Sequence, residues 1–421
     1  MPSDPAFDIL VVGSGPAGMA AAVGASARGK AVGVVDDNPS HGGQIWRNGA
    51  KEPPSREAAR WLDRVRTAGF ETFTATQVLG PLGPRLLLAE SEGQAIEIRY
   101  ERLIVATGAR ELFLPFPGWT LPNVMGAGGL QAMVKSGMPI EGTRVVVAGS
   151  GPLLLAVAAC LRKLGAKVPL VAEQAPFAKV AGFGLGLWRE PKKIAQVLVL
   201  GTALGRVPFR AGCWPVAAEG DGALESVTMT DGSKTWRERC DYLACGFGLV
   251  PNVELAGALG CATHHGVVGV DALQRTTVPD VFAAGEVTGI GGLDRSLVEG
   301  EIAGLAASGD EAAARFLFPA RDRAHRFARR LERAFGLRDE LRRLPRPETI
   351  VCRCEDVAHG SLAPYSSWTE AKLQTRCGMG PCQGRVCGAA AEVLYGWTRT
   401  SIRPPIFPTA LGHLAGRGPA A

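Results

Sequence analysis

Five cysteines gather near the carboxy end of this 421-residue chain, and their spacing is the part of the sequence with the most specific chemistry. Cys352 and Cys354 form a C-x-C pair within Val351–Glu355, and Cys377, Cys382 and Cys387 follow among glycines. Thiolates bunched on flexible loops wrap a small inorganic cluster and turn backbone amides toward its sulfurs, the environment an iron–sulfur centre needs. Zinc is the alternative, since four thiolates also suit a tetrahedral ion, but the spacing departs from the paired C-x-x-C of zinc ribbons. The other five cysteines (Cys160, Cys213, Cys240, Cys245 and Cys261) are scattered. In a reducing compartment the crowded set is a metal site rather than a disulfide framework.

The second chemistry lies at the amino end. An apolar run, Asp8–Val12, leads into Gly13-Ser-Gly15-Pro16-Ala17-Gly18 and then a small-residue segment that reads as a helix. The first glycine permits the tight turn, the second lets backbone amides approach a pyrophosphate, and the third lets helix and strand pack closely. A second strand, Ala31–Val35, stops at Asp36, where an acid accepts a ribose hydroxyl. A bound dinucleotide follows from strand, turn, helix, strand and acid together. Further on, Gly43 and Gln44 sit in a glycine turn where an amide can bond the polar edge of a flavin. The strand Arg102–Gly108 ends in Thr107-Gly108, as though passing beneath a ligand, and Thr276–Glu286 runs into a glycine turn through Gly285 and Glu286.

These residues need a scaffold, and the chain repeats one. Arg144–Leu154 parallels the opening motif through Gly149 and Gly151, and Lys167–Glu173 supplies a second strand ending in the acid Glu173. Leu154 stands where the third glycine belongs, so two readings of this fold remain open: occupied by a second nucleotide, NAD(P) or ATP, or degenerate and kept for packing or a partner. The fold class is therefore α/β, with two tandem Rossmann-like folds and a small, α-rich carboxy-terminal cysteine domain. Two alternating stretches, around Arg85–Glu90 and Ala95–Tyr100, read as a β-meander, Leu112–Asn123 as a proline-rich crossing between domains, and Leu293–Ala307 as a helix whose N-terminus faces a diphosphate or flavin. Pro319–Leu344 is a basic amphipathic helix or helix pair.

Composition excludes other classes. With 46% apolar residues, 55 glycines and a mild net charge of +6, the chain suits a glycine-rich enzyme with a large core and offers no nucleic-acid partner. The opening lacks the pattern of a signal peptide, and no apolar run reaches the roughly 18 residues of a membrane span, so a cytoplasmic location with no transmembrane segment is expected.

The chain resembles the two-dinucleotide-domain flavoproteins that include glutathione and thioredoxin reductases. In that family an Ala-Gly-Asp turn places an acid on the ribityl and phosphate part of FAD, and here Glu286 takes the acid's place. The family's disulfide reductases carry a redox cysteine pair beside the flavin; no cysteine precedes Cys160, so electrons must leave the flavin by another route. Gly42–Arg47, Leu114–Trp119, Cys352–Glu355 and Gly378–Arg385 sharpen the likeness. They resemble the large FAD and [2Fe–2S] subunit of opine oxidases, D-hydroxyproline and related amino-acid dehydrogenases, and hydrogen cyanide synthase. The end of the anaerobic glycerol-3-phosphate dehydrogenase large subunit is similar too, and its motif implies Cys352, Cys354, Cys382 and Cys387 as ligands, with Cys377 a spare.

The resemblance implies an FAD-binding domain of residues 1–118 and 268–318, a second dinucleotide fold of 119–267, a basic helical linker of 319–348, and a [2Fe–2S] domain with its tail over 349–421. It implies an electron-transferring subunit of a heteromeric dehydrogenase acting on an opine, D-hydroxyproline or related secondary amine. Its partners would be a substrate-oxidising flavoprotein similar to D-amino-acid and sarcosine oxidases, a small ferredoxin-like subunit in some assemblies, and a downstream electron acceptor. Two other readings stand beside it: an NAD(P)H-dependent FAD and iron–sulfur reductase acting alone, and a scaffold subunit with degenerate sites.

Overall fold

The computed structural model describes residues 5–47, 55–398 and 402–415, which form two compact units. One takes the described residues up to 110, 250–329 and those from 402 onward; the other takes 111–249 and 330–398.

The first unit opens with β1 (Ala6–Val12), α1 (Pro16–Ser26) and β2 (Val32–Val35). It continues through α2 (Arg56–Thr67), β3 (Glu71–Phe73), β4 (Thr76–Gly83), β5 (Leu86–Ser91) and β6 (Gln94–Val105). The alternating stretch around Ala95–Tyr100 and the strand beginning at Arg102 are one continuous strand rather than two. β6 is 12 residues long because it pairs antiparallel with β5 over its first half and parallel with β1 over its second.

The second unit contains β7 (Val124–Gly126), α3 (Ala127–Lys135), β8 (Val145–Gly149), α4 (Leu153–Lys163) and β9 (Val171–Glu173). Two further helices, α5 (Phe177–Leu185) and α6 (Pro191–Leu204), precede β10 (Phe209–Ala211). A small antiparallel sheet of β11 (Trp214–Glu219), β12 (Ser226–Thr230) and β13 (Thr235–Arg239) follows, and β14 (Tyr242–Gly246) returns to the parallel sheet. The parallel sheet has the order β10-β9-β8-β14-β7.

Back in the first unit, β15 (Val281–Ala283) joins β6, completing a seven-stranded sheet of order β3-β2-β1-β6-β5-β4 with β15 on the free side of β6. α7 (Leu293–Ala307) then lies along α1. α8 (Phe318–Phe335) carries the basic segment, and the cysteine region holds β16 (Ile350–Cys352), β17 (Val357–Ala358), α9 (Trp368–Thr375) and α10 (Cys387–Tyr395). The tail rejoins the first unit, where Ile406 is buried with Val78 and Leu87 and its amide donates to Leu79 O at 2.8 Å.

Helix α1 is almost wholly small, with Ala17, Ala20, Ala21, Ala22 and Ala25 all buried, and this lets it be sandwiched between sheet and α7. The approach is backbone to backbone. A Cβ on Gly300 would lie 2.1 Å from Ala17 O, and one on Gly304 2.2 Å from Ala21 O. Among the described residues no helix is long and apolar enough to cross a membrane.

Candidate functional site

The amino-terminal glycine turn has two glycines locked by packing and one kept open. Gly13 has φ +104° and its Cβ would meet Ala106 O at 2.3 Å, while a Cβ on Gly18 would meet Gly13 O at 1.7 Å. Gly15 is different: its φ of −68° suits any residue, and a Cβ there would find only Gly43 Cα, at 4.0 Å. The space above Gly15 is the space a diphosphate needs. Gly15 caps α1 without a side-chain bond and Pro16 opens the helix, so its first amides are free to meet an anion.

Asp36 closes the far side of the turn. It is buried, accepts from Ser14 N, and accepts from Asn38 N and Nδ2 at 2.7 and 2.8 Å. Ser14 Oγ is buried with no partner among the described residues, an orphan polar atom of the kind a bound ligand satisfies. The open cradle, the uncapped helix and the orphan hydroxyl together fit the phosphate and ribose part of FAD.

The other expected contacts gather at this end of the sheet. Gly43, with φ +55°, packs its backbone on Gly15. Gln44 is exposed and accepts from Arg47 Nη2 at 2.7 Å, so its oxygen is committed to a neighbouring guanidinium. Thr107 Oγ1 donates to Asn252 O at 2.7 Å, and Asn252 N donates to Gly108 O at 2.9 Å, which ties the outgoing and returning chains. Gly285, with φ +80°, lies against Ala17: its Cβ would be 2.6 Å from that methyl. Burial pushes the Glu286 carboxyl pKa up, and its backbone carbonyl accepts from Gly289 N at 3.2 Å.

The acid that organises this turn is one that sequence reasoning missed. Glu299, 1% exposed on α7, accepts from Gly285 N at 3.0 Å, from Thr288 Oγ1 at 2.8 Å and from Arg295 Nε at 2.7 Å. His325 Nε2 lies 2.7 Å from Glu299 Oε1, the oxygen that Arg295 also reaches, while Gly285 and Thr288 share Oε2. Burial raises the Glu299 pKa, but the His325 hydrogen bond and the Arg295 charge outweigh it and hold the carboxyl below its ordinary range. The available signal was the Arg295-x-x-x-Glu299 spacing, one helical turn apart.

In the repeat fold Gly149 (φ +143°) is as tightly held as Gly13, its Cβ meeting Gly246 O at 2.0 Å. Leu154, 1% exposed, fills the space of the third glycine and packs with Val147, Val157 and Ala244. Glu173 is buried and accepts from Gly151 N at 2.6 Å and Ala175 N at 2.8 Å; burial pushes its pKa up to about 7. Glu111, not anticipated from sequence, occupies the N-terminus of α3, accepting from Gly128 N at 2.6 Å and Gly129 N at 2.9 Å.

The five cysteines of the carboxy region converge. The sulfurs of Cys352, Cys377 and Cys387, all buried, lie within 4.8 Å of one another. Hydrogen bonds from the Cys377 and Cys387 thiols pull the Cys352 pKa down to about 2, and a bond from Cys387 brings Cys382 to about 5. Cys354, exposed, interacts with Cys382 at the edge of the group. Gly378 N donates to Cys352 Sγ at 3.4 Å, an amide aimed at sulfur. Clustered thiols that already share protons give them up to solvent when a metal binds and the thiolates coordinate it, and the donor set fits an iron–sulfur centre. The other cysteines stay apart: Cys240 and Cys245 are buried, and burial pushes the Cys240 thiol up to about 12.

Two glycine turns, each following the central strand of a set of parallel strands, with a cysteine cluster after them, define a flavin-type oxidoreductase. The pyridine nucleotide-disulphide oxidoreductase family matches residues 7–308, and the chain belongs to it. More narrowly, the chain shares a family with hydrogen cyanide synthase subunit HcnB of Pseudomonas aeruginosa, 32% identical over 95% of this chain and 96% of that one. An opine oxidase subunit of Rhizobium meliloti belongs there too, 32% identical over 97% of this chain and 98% of that one. Among solved structures, L-proline dehydrogenase from P. horikoshii has the same fold with a TM-score of 0.69 at 19% identity, covering 97% of this chain and 79% of that one. The thioredoxin reductase of T. acidophilum aligns with a TM-score of 0.56 at 19% identity, over 73% of this chain and all of that one. The chain is an oxidoreductase subunit of an FAD-binding family, and its buried cysteine cluster is compatible with an iron–sulfur centre.

Proposed function

We propose that this chain is the electron-handling subunit of a heteromeric amino-acid dehydrogenase. A separate flavoprotein subunit, similar to D-amino-acid and sarcosine oxidases, takes hydride from a C–N bond of an opine, D-hydroxyproline or related secondary amine. FAD and a [2Fe–2S] cluster, when bound, supply the stepwise electron transfer toward a downstream acceptor. The protein's own work is to hold them. Gly13, Gly15, Pro16, Ala17 and Gly18 cradle the diphosphate, Asp36 receives a ribose, and Gly285 with Glu286 closes the returning side beside Gly43, Gln44, Thr107 and Gly108. Cys352, Cys354, Cys382 and Cys387 ligate the cluster, and the unit operates in the cytoplasm.

The observation that carries this reading is the joint presence, in one chain, of a flavin-type turn with no redox cysteine pair near it and a buried thiolate group elsewhere. The partner has a second support. Helices α5 and α6 bury none of their residues, and Phe177, Leu185, Leu198 and, in the turn between the helices, Trp188 are between 65% and 78% exposed. Exposed apolar patches of this kind mark interaction sites. The test is anaerobic: iron and sulfide analysis, EPR of the dithionite-reduced protein, and stopped-flow mixing with NADH and NADPH. Labile sulfide with a reduced-cluster signal and slow nicotinamide oxidation are expected. Zinc without labile sulfide sinks the electron-transfer reading, and rapid stoichiometric flavin bleaching by a nicotinamide replaces it with the stand-alone reductase.

A further inference from the structure

We infer that the nucleotide cleft of the repeat fold is filled by the chain's own segment Phe335–Arg338, so that this fold seats the approach to the cysteine region in place of an adenine nucleotide. In a dinucleotide-binding fold the ribose and diphosphate lie between the glycine turn and the end of the second strand. In this chain that gap is bounded by Ser150, inside the turn, and Gln174, the residue after Glu173. The two side chains meet at 3.0 Å.

Both then reach the same stretch of backbone. Ser150 Oγ donates to Phe335 O at 2.7 Å, and Gln174 Nε2 donates to Gly336 O at 3.2 Å and Phe335 O at 3.4 Å. Gln174 uses its other end as well: Oε1 accepts from Arg338 N at 3.1 Å, and Gln174 O accepts from Arg338 Nη1 at 3.3 Å. The Arg338 guanidinium lies 3.7 Å over the Trp214 ring, taking an aromatic face beside the strand end, and the Phe335 ring meets Phe183 edge-on at 5.1 Å.

A helix C-terminus always needs partners for its last carbonyls, and α8 finds them here. That requirement alone explains one or two bonds. It does not explain why three residues of the segment are each held, nor why the amide of Gly151, which the second glycine would offer a diphosphate, is taken up by Glu173. With Leu154 in the third-glycine position, the fold keeps its strands and turn and has given its cleft to a peptide.

The inference goes beyond the electron-transfer reading and fails separately from it. Calorimetric titration of the flavin-loaded full chain with ATP, NADH and NADPH is expected to show no saturable binding at millimolar nucleotide. Stoichiometric binding of any of them overturns the inference, and ATP binding without flavin bleaching leaves the electron-transfer reading standing. Gln174→Leu removes four side-chain hydrogen bonds. Tryptic cleavage within 337–346 is expected to rise about tenfold, because proteolysis follows the population of the locally opened segment. Flavin and iron content should be unchanged. Arg338→Ala, which leaves the cleft wall intact, should show the same direction should Gln174→Leu not fold. Unchanged cleavage in the folded variants overturns the inference.

Discussion

Gly304→Ala is the sharpest test of how the flavin turn is built. The added methyl would sit 2.2 Å from Ala21 O and 2.9 Å from Ala21 Cα, and real Cβ contacts essentially never fall under 3.0 Å. Both obstacles are backbone, so neither can rotate away and the two helices must part by roughly 1 Å, an overpacking that costs about 3 kcal/mol at the upper end of the usual range. Alanine's better helix propensity returns about 1 kcal/mol. The net loss of about 2 kcal/mol lowers Tm by about 4 to 8 °C for a unit of this size. Because α1 also forms the floor of the glycine turn, the variant should purify with less flavin, read from absorbance against protein. Gly201→Ala in α6 is the control: a Cβ there meets nothing within 4 Å, so it should be neutral or slightly stabilising. If Gly304→Ala matches the wild type in both Tm and flavin content, the backbone-to-backbone packing of α1 on α7 is wrong.

Gly15→Val should fold with an unchanged apoprotein Tm, since the space is open, yet retain little FAD; full flavin retention refutes the assignment of the cradle. Cys377→Ala should keep iron, sulfide and the EPR signal, whereas Cys387→Ala should lose them; the reverse pattern keeps the cluster and overturns the ligand choice. Glu299→Gln should destabilise the returning turn by about 3 kcal/mol, the cost of breaking a buried pair, measured by urea unfolding. Glu299 also sets a pH dependence: its folded pKa is depressed, so its contribution is present above the ordinary carboxylate pKa of 4.5 and is lost as pH falls through the lower folded value. Glu173 acts in the opposite direction, since a pKa raised to about 7 makes the folded state hold its proton longer, and stability falls as pH rises from 4.5 to 7. A flat dependence in Glu173→Gln across that window is the expected result.

The glycine turns, their repetition and the cysteine crowding were legible because each depends on residue type at short spacing. Leu293–Ala307 was readable as a helix to its exact ends for the same reason. What escaped the sequence depends on distant partners. Gly300 and Gly304 look like unfavourable helix residues until α1 is laid against them. Glu299 looks like half of a surface ion pair until Gly285, Thr288 and His325 surround it. The basic segment Pro319–Leu344 showed its amphipathic period but not its stop at Phe335. Gly336 is the one local mark of that end; what holds it there is distant, Ser150 and Gln174 at separations of 185 and 161 positions.

The exposed pair α5 and α6 bears on how the cell must make this protein. A subunit that enters solution with Trp188, Leu185 and Leu198 exposed carries the signature that chaperones hold and proteases clear. On the proposed reading, a partner seated on this surface would lengthen the chain's half-life, so the chain is expected to be degraded faster when made without it. If the proposed partner covers this surface, joint expression is expected to give more soluble chain than expression alone, read from the soluble yield of each; equal yields count against that docking face.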